Sequence, residues 1–149
     1  MIRICYTYGS VNPDGRRGET GFIEVPAAGE DRHILVVHGG MGDLQQLKRV
    51  LCGDFRVGLA STVPAAAAYL SAHRPEMMLV DAGLTACIGN GALGVFRTSA
   101  RALPIAVLFS DSVFPACDFD TYVQGFIAWP APAQIFLEDV RAFAAHSLV

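Results

Sequence analysis

The sequence predicts an α/β protein, a doubly wound parallel sheet of five strands in the order 2-1-3-4-5, with a short N-terminal β extension. Three observations carry this. From residue 32 onward, short apolar runs alternate with stretches of helical periodicity, as strand–helix–strand units with right-handed crossovers require. Met77-Met78-Leu79-Val80 is apolar throughout, as a strand covered on both faces must be, and it closes on Asp81. Phe55-Arg56-Val57-Gly58-Leu59 instead alternates apolar with polar or small residues, which predicts an edge strand and selects this order.

Residues 1–31 stand apart as an extension to a main domain at 32–149. Ile2, Ile4, Tyr6 and Tyr8 alternate with Arg3, Cys5 and Thr7, the two-residue period of a strand. The stretch from Gly9 to Gly18 reads as loop, with Asn12-Pro13-Asp14-Gly15 as a tight turn. Phe22-Ile23-Glu24-Val25 reads as a return strand, ended by Pro26-Ala27-Ala28-Gly29. A two-stranded ribbon is marginal alone in water. The extension therefore docks on the main domain or on another chain, or else it is a disordered leader.

In the main domain, Ile34-Leu35-Val36-Val37 is the first buried strand. Leu44, Leu47, Val50 and Leu51 recur at helical spacing behind it, with Asp43 as N-cap. After the strand at 55–59, Ser61 or Thr62 caps a second helix through Pro64–His73, with Pro64 in its first turn. The central strand at 76–81 leads through Gly91 into a third helix at 92–102. Pro104 to Phe109 forms the fourth strand, 112–124 a short irregular helix, and Phe126-Ile127-Ala128-Trp129 the fifth strand. A last helix starts at Pro130-Ala131-Pro132 and carries the stripe Phe136, Val140, Phe143. The whole is the flavodoxin-like arrangement, whose chemistry lies beyond the carboxyl ends of its strands. Asp81 stands at such an end.

Composition limits what the protein can do. With 52% hydrophobic and 17% charged residues over 149 positions, a sizeable core is assured. A net charge of −3 lacks the electrostatic footprint of a nucleic-acid or anionic-membrane partner. No apolar run has membrane-spanning length, and the first thirty residues lack a signal-peptide core. Cys5, Cys52, Cys87 and Cys117 form no C-x-x-C pair and read as reduced thiols of a cytoplasmic protein. Of the 11 basic residues, Lys48 is the one lysine. No nucleophile–base constellation is present, so an enzyme is not expected. His33, His73 and His146 show no ligand spacing and read as surface residues.

Residues 32–147 resemble the receiver domain of bacterial two-component response regulators. His33-Ile34-Leu35-Val36-Val37-His38 is similar to that family's first strand, and Arg74-Pro75-Glu76-Met77-Met78-Leu79-Val80-Asp81 to its third, with Asp81 at the phosphoacceptor position. Gly125-Phe126-Ile127-Ala128-Trp129-Pro130 is similar to the fifth. The resemblance implies a cytoplasmic phosphorelay module whose partner is a kinase, an output protein or a second copy, the last through the face from the fourth to the fifth helix. It also places Phe114, Tyr122, Phe126 and Trp129 on a signalling face, with Phe126 as the aromatic switch residue.

The reactive set departs from the family at every position but one. The acidic pair that helps bind Mg²⁺ falls on His38 and Gly39. The switch Ser/Thr falls on Phe109, with Ser110 one step late unless the strand carries a bulge. The lysine that meets the phosphoryl group is replaced by Trp129. Phosphoryl transfer to a carboxylate brings negative charge onto negative charge, and a metal ion and a cation must offset it. The resemblance therefore implies a degenerate receiver, with Mg²⁺ binding lost, no cofactor, and signalling through protein contacts without phosphorylation. His38 and Asp81 end adjacent strands, so either they form a hydrogen-bonded or ionic pair that favours imidazolium, or His38 is a half-exposed residue filling a lost acid's space. Two alternatives stay open. One is a phosphorylatable receiver that uses Asp81 in an unusual pocket. The other is a nucleotide or second-messenger sensor at the glycine-rich rim, Gly39-Gly40-Met41-Gly42 and Gly89-Asn90-Gly91-Ala92-Leu93-Gly94.

Overall fold

The structure is a computed structural model that describes residues 4–11, 17–84, 103–110 and 125–147, with backbone alone at 4–11 and 17–20. Seven strands form one sheet: β1 (Ile4–Val11), β2 (Arg17–Val25), β3 (Arg32–Val37), β4 (Phe55–Ala60), β5 (Met77–Asp81), β6 (Ile105–Phe109) and β7 (Gly125–Ala128). Their order is β1-β2-β4-β3-β5-β6-β7. The five from β3 onward are parallel and run 2-1-3-4-5 in chain order, as expected. The third and fourth helices of the sequence reading, the second glycine cluster, Phe114 and Tyr122 lie outside the described residues.

Apolar residues on both faces of the strands build two core layers. On β3, Ile34 and Val36 point toward α1 (Met41–Leu51) and α3 (Ala133–Ser147), where Leu44, Leu47, Phe136 and Val140 meet them. Leu35 and Val37 point the other way, toward Ala66, Tyr69 and Leu70 of α2 (Val63–Ala72). All four β3 residues are fully buried, and Met77 to Val80 of β5 repeat the pattern, so the continuous apolar runs follow from two-sided burial. Thr62 caps α2, its Oγ1 accepting from the Ala65 N–H at 3.1 Å, and Pro64 sits in the first turn.

Three expectations need correction. First, β4 is not an edge strand. β2 joins it antiparallel at Ile23↔Ala60 and Glu24↔Leu59, and β1 continues the sheet outward. The apparent alternation in β4 has a packing cause: a Cβ on Gly58 would lie 2.5 Å from Tyr69 Cζ, so the small residue makes room for a buried ring. Second, β2 starts at Arg17, inside the stretch read as loop, and it crosses the Ser61–Thr62 corner. Phe22 N–H donates to Ser61 Oγ at 2.7 Å and Ser61 N–H donates to Phe22 O at 3.0 Å. Gly21 at φ +109° is required there, because its Cβ would lie 2.5 Å from Thr62 Oγ1. Third, His33 is buried rather than at the surface and shares a hydrogen bond with the buried Tyr69 hydroxyl. Burial, then the charge of Arg56, pushes the His33 imidazole down to about 4. His73 is half-buried against Tyr69, and His146 is exposed.

The extension is also fastened electrostatically. Lys48 Nζ of α1 lies 3.0 Å from Glu24 Oε2 and 3.1 Å from Oε1, with the two side chains only 14% and 5% exposed. Among the described residues, no helix is long and apolar enough to cross a membrane.

Candidate functional site at the carboxyl ends of the strands

The parallel register brings four strand ends together. Val37 pairs with Val80, Asp81 with Leu108, and Phe109 with Ala128. His38, Asp81, Phe109 and Trp129 thus stand at one end of the sheet, where the sequence places the site. The β6–β7 register runs unbroken to Phe109↔Ala128, so no bulge there carries Ser110 into the place of Phe109.

His38 organises the cluster. Its Nδ1 accepts the Gly40 N–H at 2.9 Å, so the neutral ring carries its proton on Nε2. Nε2 lies 3.7 Å from Asp81 Oδ1 and 3.8 Å from Asp43 Oδ2. These separations are too long for hydrogen bonds, and they make ion pairs only if the ring takes up a second proton. The side chain of His38 is 14% exposed, against 25% for Asp81 and 40% for Asp43, so the imidazole is the inner member and the carboxylates reach solvent. His38 thus stands beside Asp81 without a hydrogen bond to it, and its side chain is partly buried.

Asp43 was read as a helix cap, but Gly40 occupies that position and Asp43 lies in the first turn of α1. An acidic residue is favoured there by the helix dipole. One carboxylate oxygen faces His38 and the other accepts the Trp129 indole N–H at 3.3 Å. Sequence reasoning missed this role. The available signal was the brevity of the Gly39-Gly40 connection, which keeps the first turn of the helix beside the end of β3.

Trp129 directly follows β7, at the position that the resemblance gives to a lysine. Its backbone N–H donates to Phe109 O at 2.8 Å, and the Trp129-Pro130 bond is cis. The indole packs edge-on against Phe136 with ring centroids 4.8 Å apart and is only 7% exposed. It is therefore a core residue with one polar contact, and its expected place on an exposed signalling face does not hold. Phe126, by contrast, is 49% exposed. Lys48 cannot supply the missing cation, because its ammonium is held by Glu24.

The donor set does not fit Mg²⁺. The metal wants oxygen ligands in near-octahedral geometry. His38 turns an N–H toward both carboxylates where lone pairs would be needed, and Gly39 has no side chain. Among the described residues, no group of three or more His, Cys, Asp or Glu is placed to hold a metal ion. In the first glycine cluster the Gly40 N–H is given to His38. A Cβ on Gly40 would lie 2.9 Å from Asp43 Oδ2, and one on Gly83 2.9 Å from Asp81 Oδ2, so both glycines leave room for the carboxylates.

No family model and no curated protein sequence matches this chain. Its fold does match solved receiver structures. A CheY-like response regulator receiver domain from Methanospirillum hungatei superposes with a TM-score of 0.66 at 15% identity, over 80% of this chain and 98% of that one. The signal receiver domain of an HD domain-containing protein from Pseudomonas fluorescens gives 0.65 at 17% identity, over 80% and 98%. A response regulator receiver modulated diguanylate cyclase from Pelobacter carbinolicus gives 0.61 at 15%, over 78% and 95%. The fold is that of a receiver domain.

Proposed function

We propose that this chain is a pseudo-receiver, a non-enzymatic signalling module that acts through protein contacts and neither binds Mg²⁺ nor accepts a phosphoryl group. One observation carries the reading: the carboxylate of Asp81 is grouped with His38, Asp43 and Trp129, and among the described residues no lysine or arginine and no metal-ligand set stands beside it. An incoming phosphoryl group would meet two carboxylates and, among the described residues, would be compensated by one imidazole. The buried indole cannot move as a lysine does to meet a phosphoryl oxygen, so the switch has one state. The exposed Phe126 ring on β7 marks the face offered to a partner protein. The receiver folds of the solved neighbours, among them a response regulator receiver modulated diguanylate cyclase and the signal receiver domain of an HD domain-containing protein, support a role in signal transduction.

Beryllofluoride with Mg²⁺ mimics the phosphoryl group, and Trp129 is the lone tryptophan of the chain. Titration is expected to leave its fluorescence unchanged. A saturable change that disappears in Asp81→Asn would instead establish a phosphorylatable pocket.

A further inference from the structure

We propose that the outer edge of β1 is an interface between two copies of this chain, joined as an antiparallel strand pair about a two-fold axis at Tyr6. β1 ends the seven-strand order and, among the described residues, pairs only with β2. Ile4 to Tyr8 run opposite Val25 to Gly21 without a break, and the register shifts only after Tyr8. The outer edge of this regular segment presents a row of backbone donors and acceptors. Natural edge strands are guarded by lysine, proline, inward charge or a β-bulge, and Ile4 to Tyr8, which precede the register shift, contain none of these.

Two features select a second copy as the occupant. The first is register. An antiparallel pair centred on Tyr6 sets Tyr6 opposite Tyr6, Ile4 opposite Tyr8, and Cys5 opposite Thr7 of the other copy. Apolar positions then meet apolar and small polar positions meet their like, so the strand is self-complementary, as a two-fold interface demands. The second is support. β2 meets β4 at only two residue pairs, and among the described residues β1 is the one strand partner of Arg17 to Phe22. A two-stranded ribbon is marginal, whereas three or more strands with an apolar face are stable. Pairing with a copy makes the ribbon four-stranded. The inference does not depend on the chemistry of Asp81.

Light scattering on the size-fractionated full chain is expected to give a dimer at micromolar concentration. Tyr6→Lys and Tyr6→Glu are each expected to give monomers, because like charges then face each other across the axis, and an equal mixture of the two is expected to dimerise again. A wild-type monomer, or dimers that survive both substitutions, would overturn the proposal. Thr7→Cys gives a second reading without added charge. Under mild oxidation the new thiol is expected to link to Cys5 of the other copy, identified by peptide mapping, and absence of that link would equally overturn it.

Discussion

Tyr69 and His33 bury two polar groups beside the sheet and satisfy them with each other, and Gly58 makes this possible by leaving room for the ring. Gly58→Ala is expected to lower stability by about 1–3 kcal/mol, because the ring must shift in a packed core; urea unfolding midpoints check this. His33 also makes stability depend on pH. Its folded value, about 4, lies below the ordinary 6.5, so the folded state resists protonation. The His33 contribution is therefore whole above pH 6.5 and is lost as the pH falls toward 4, to a total of about 3 kcal/mol. Unfolding at pH 7.5 and 4.5 should show wild type losing more stability than His33→Gln; equal losses would contradict the assignment. At the site, Asp43→Ala should cost no more than about 1 kcal/mol, since its one hydrogen bond is long and its carboxylate is 40% exposed. The same variant should alter Trp129 emission without altering helix content by circular dichroism.

At the scale of elements, the parallel strands were legible because each is buried on both faces and so reads as an unbroken apolar run. α2 was legible through Thr62 and Pro64 and α3 through Phe136 and Val140, both ordinary consequences of capping and of a stripe facing a sheet. The N-terminal ribbon was only half legible. Arg17, Gly18 and Glu19 carry no apolar signal because that part of β2 lies past the end of β4, and its partner is another strand of the extension. The docking of β2 on β4 was hidden as well, since it depends on pairing Glu24 with Lys48 across 24 residues. Glu24 is buried and Lys48 is partly buried, so removing the lysine strands a charge. Lys48→Met is expected to cost about 3–5 kcal/mol, while Lys48→Met with Glu24→Leu recovers most of the loss. A double-mutant cycle by chemical denaturation tests this, and equal destabilisation of the single and double variants would contradict it.

Over the whole molecule, fold and chemistry part company. The receiver fold rests on burial and register, which tolerate any apolar residue of suitable size, and low identity to the solved neighbours is compatible with it. Receiver chemistry rests on a few charged atoms at the strand ends, and on the proposed reading those positions carry an imidazole, a glycine, a phenyl ring and an indole. Their identities were readable from the sequence. Their arrangement was not: no periodicity reveals that Asp43 turns back to join His38 and Trp129, or that the Gly40 N–H fixes the tautomer of His38.

Incubating the full chain with Mg²⁺ and a small-molecule phosphodonor, then recording its intact mass, tests the central claim most directly. Asp81 is expected to remain unmodified at every incubation time. A phosphoryl mass increment present in the wild type and absent from Asp81→Asn would contradict the account.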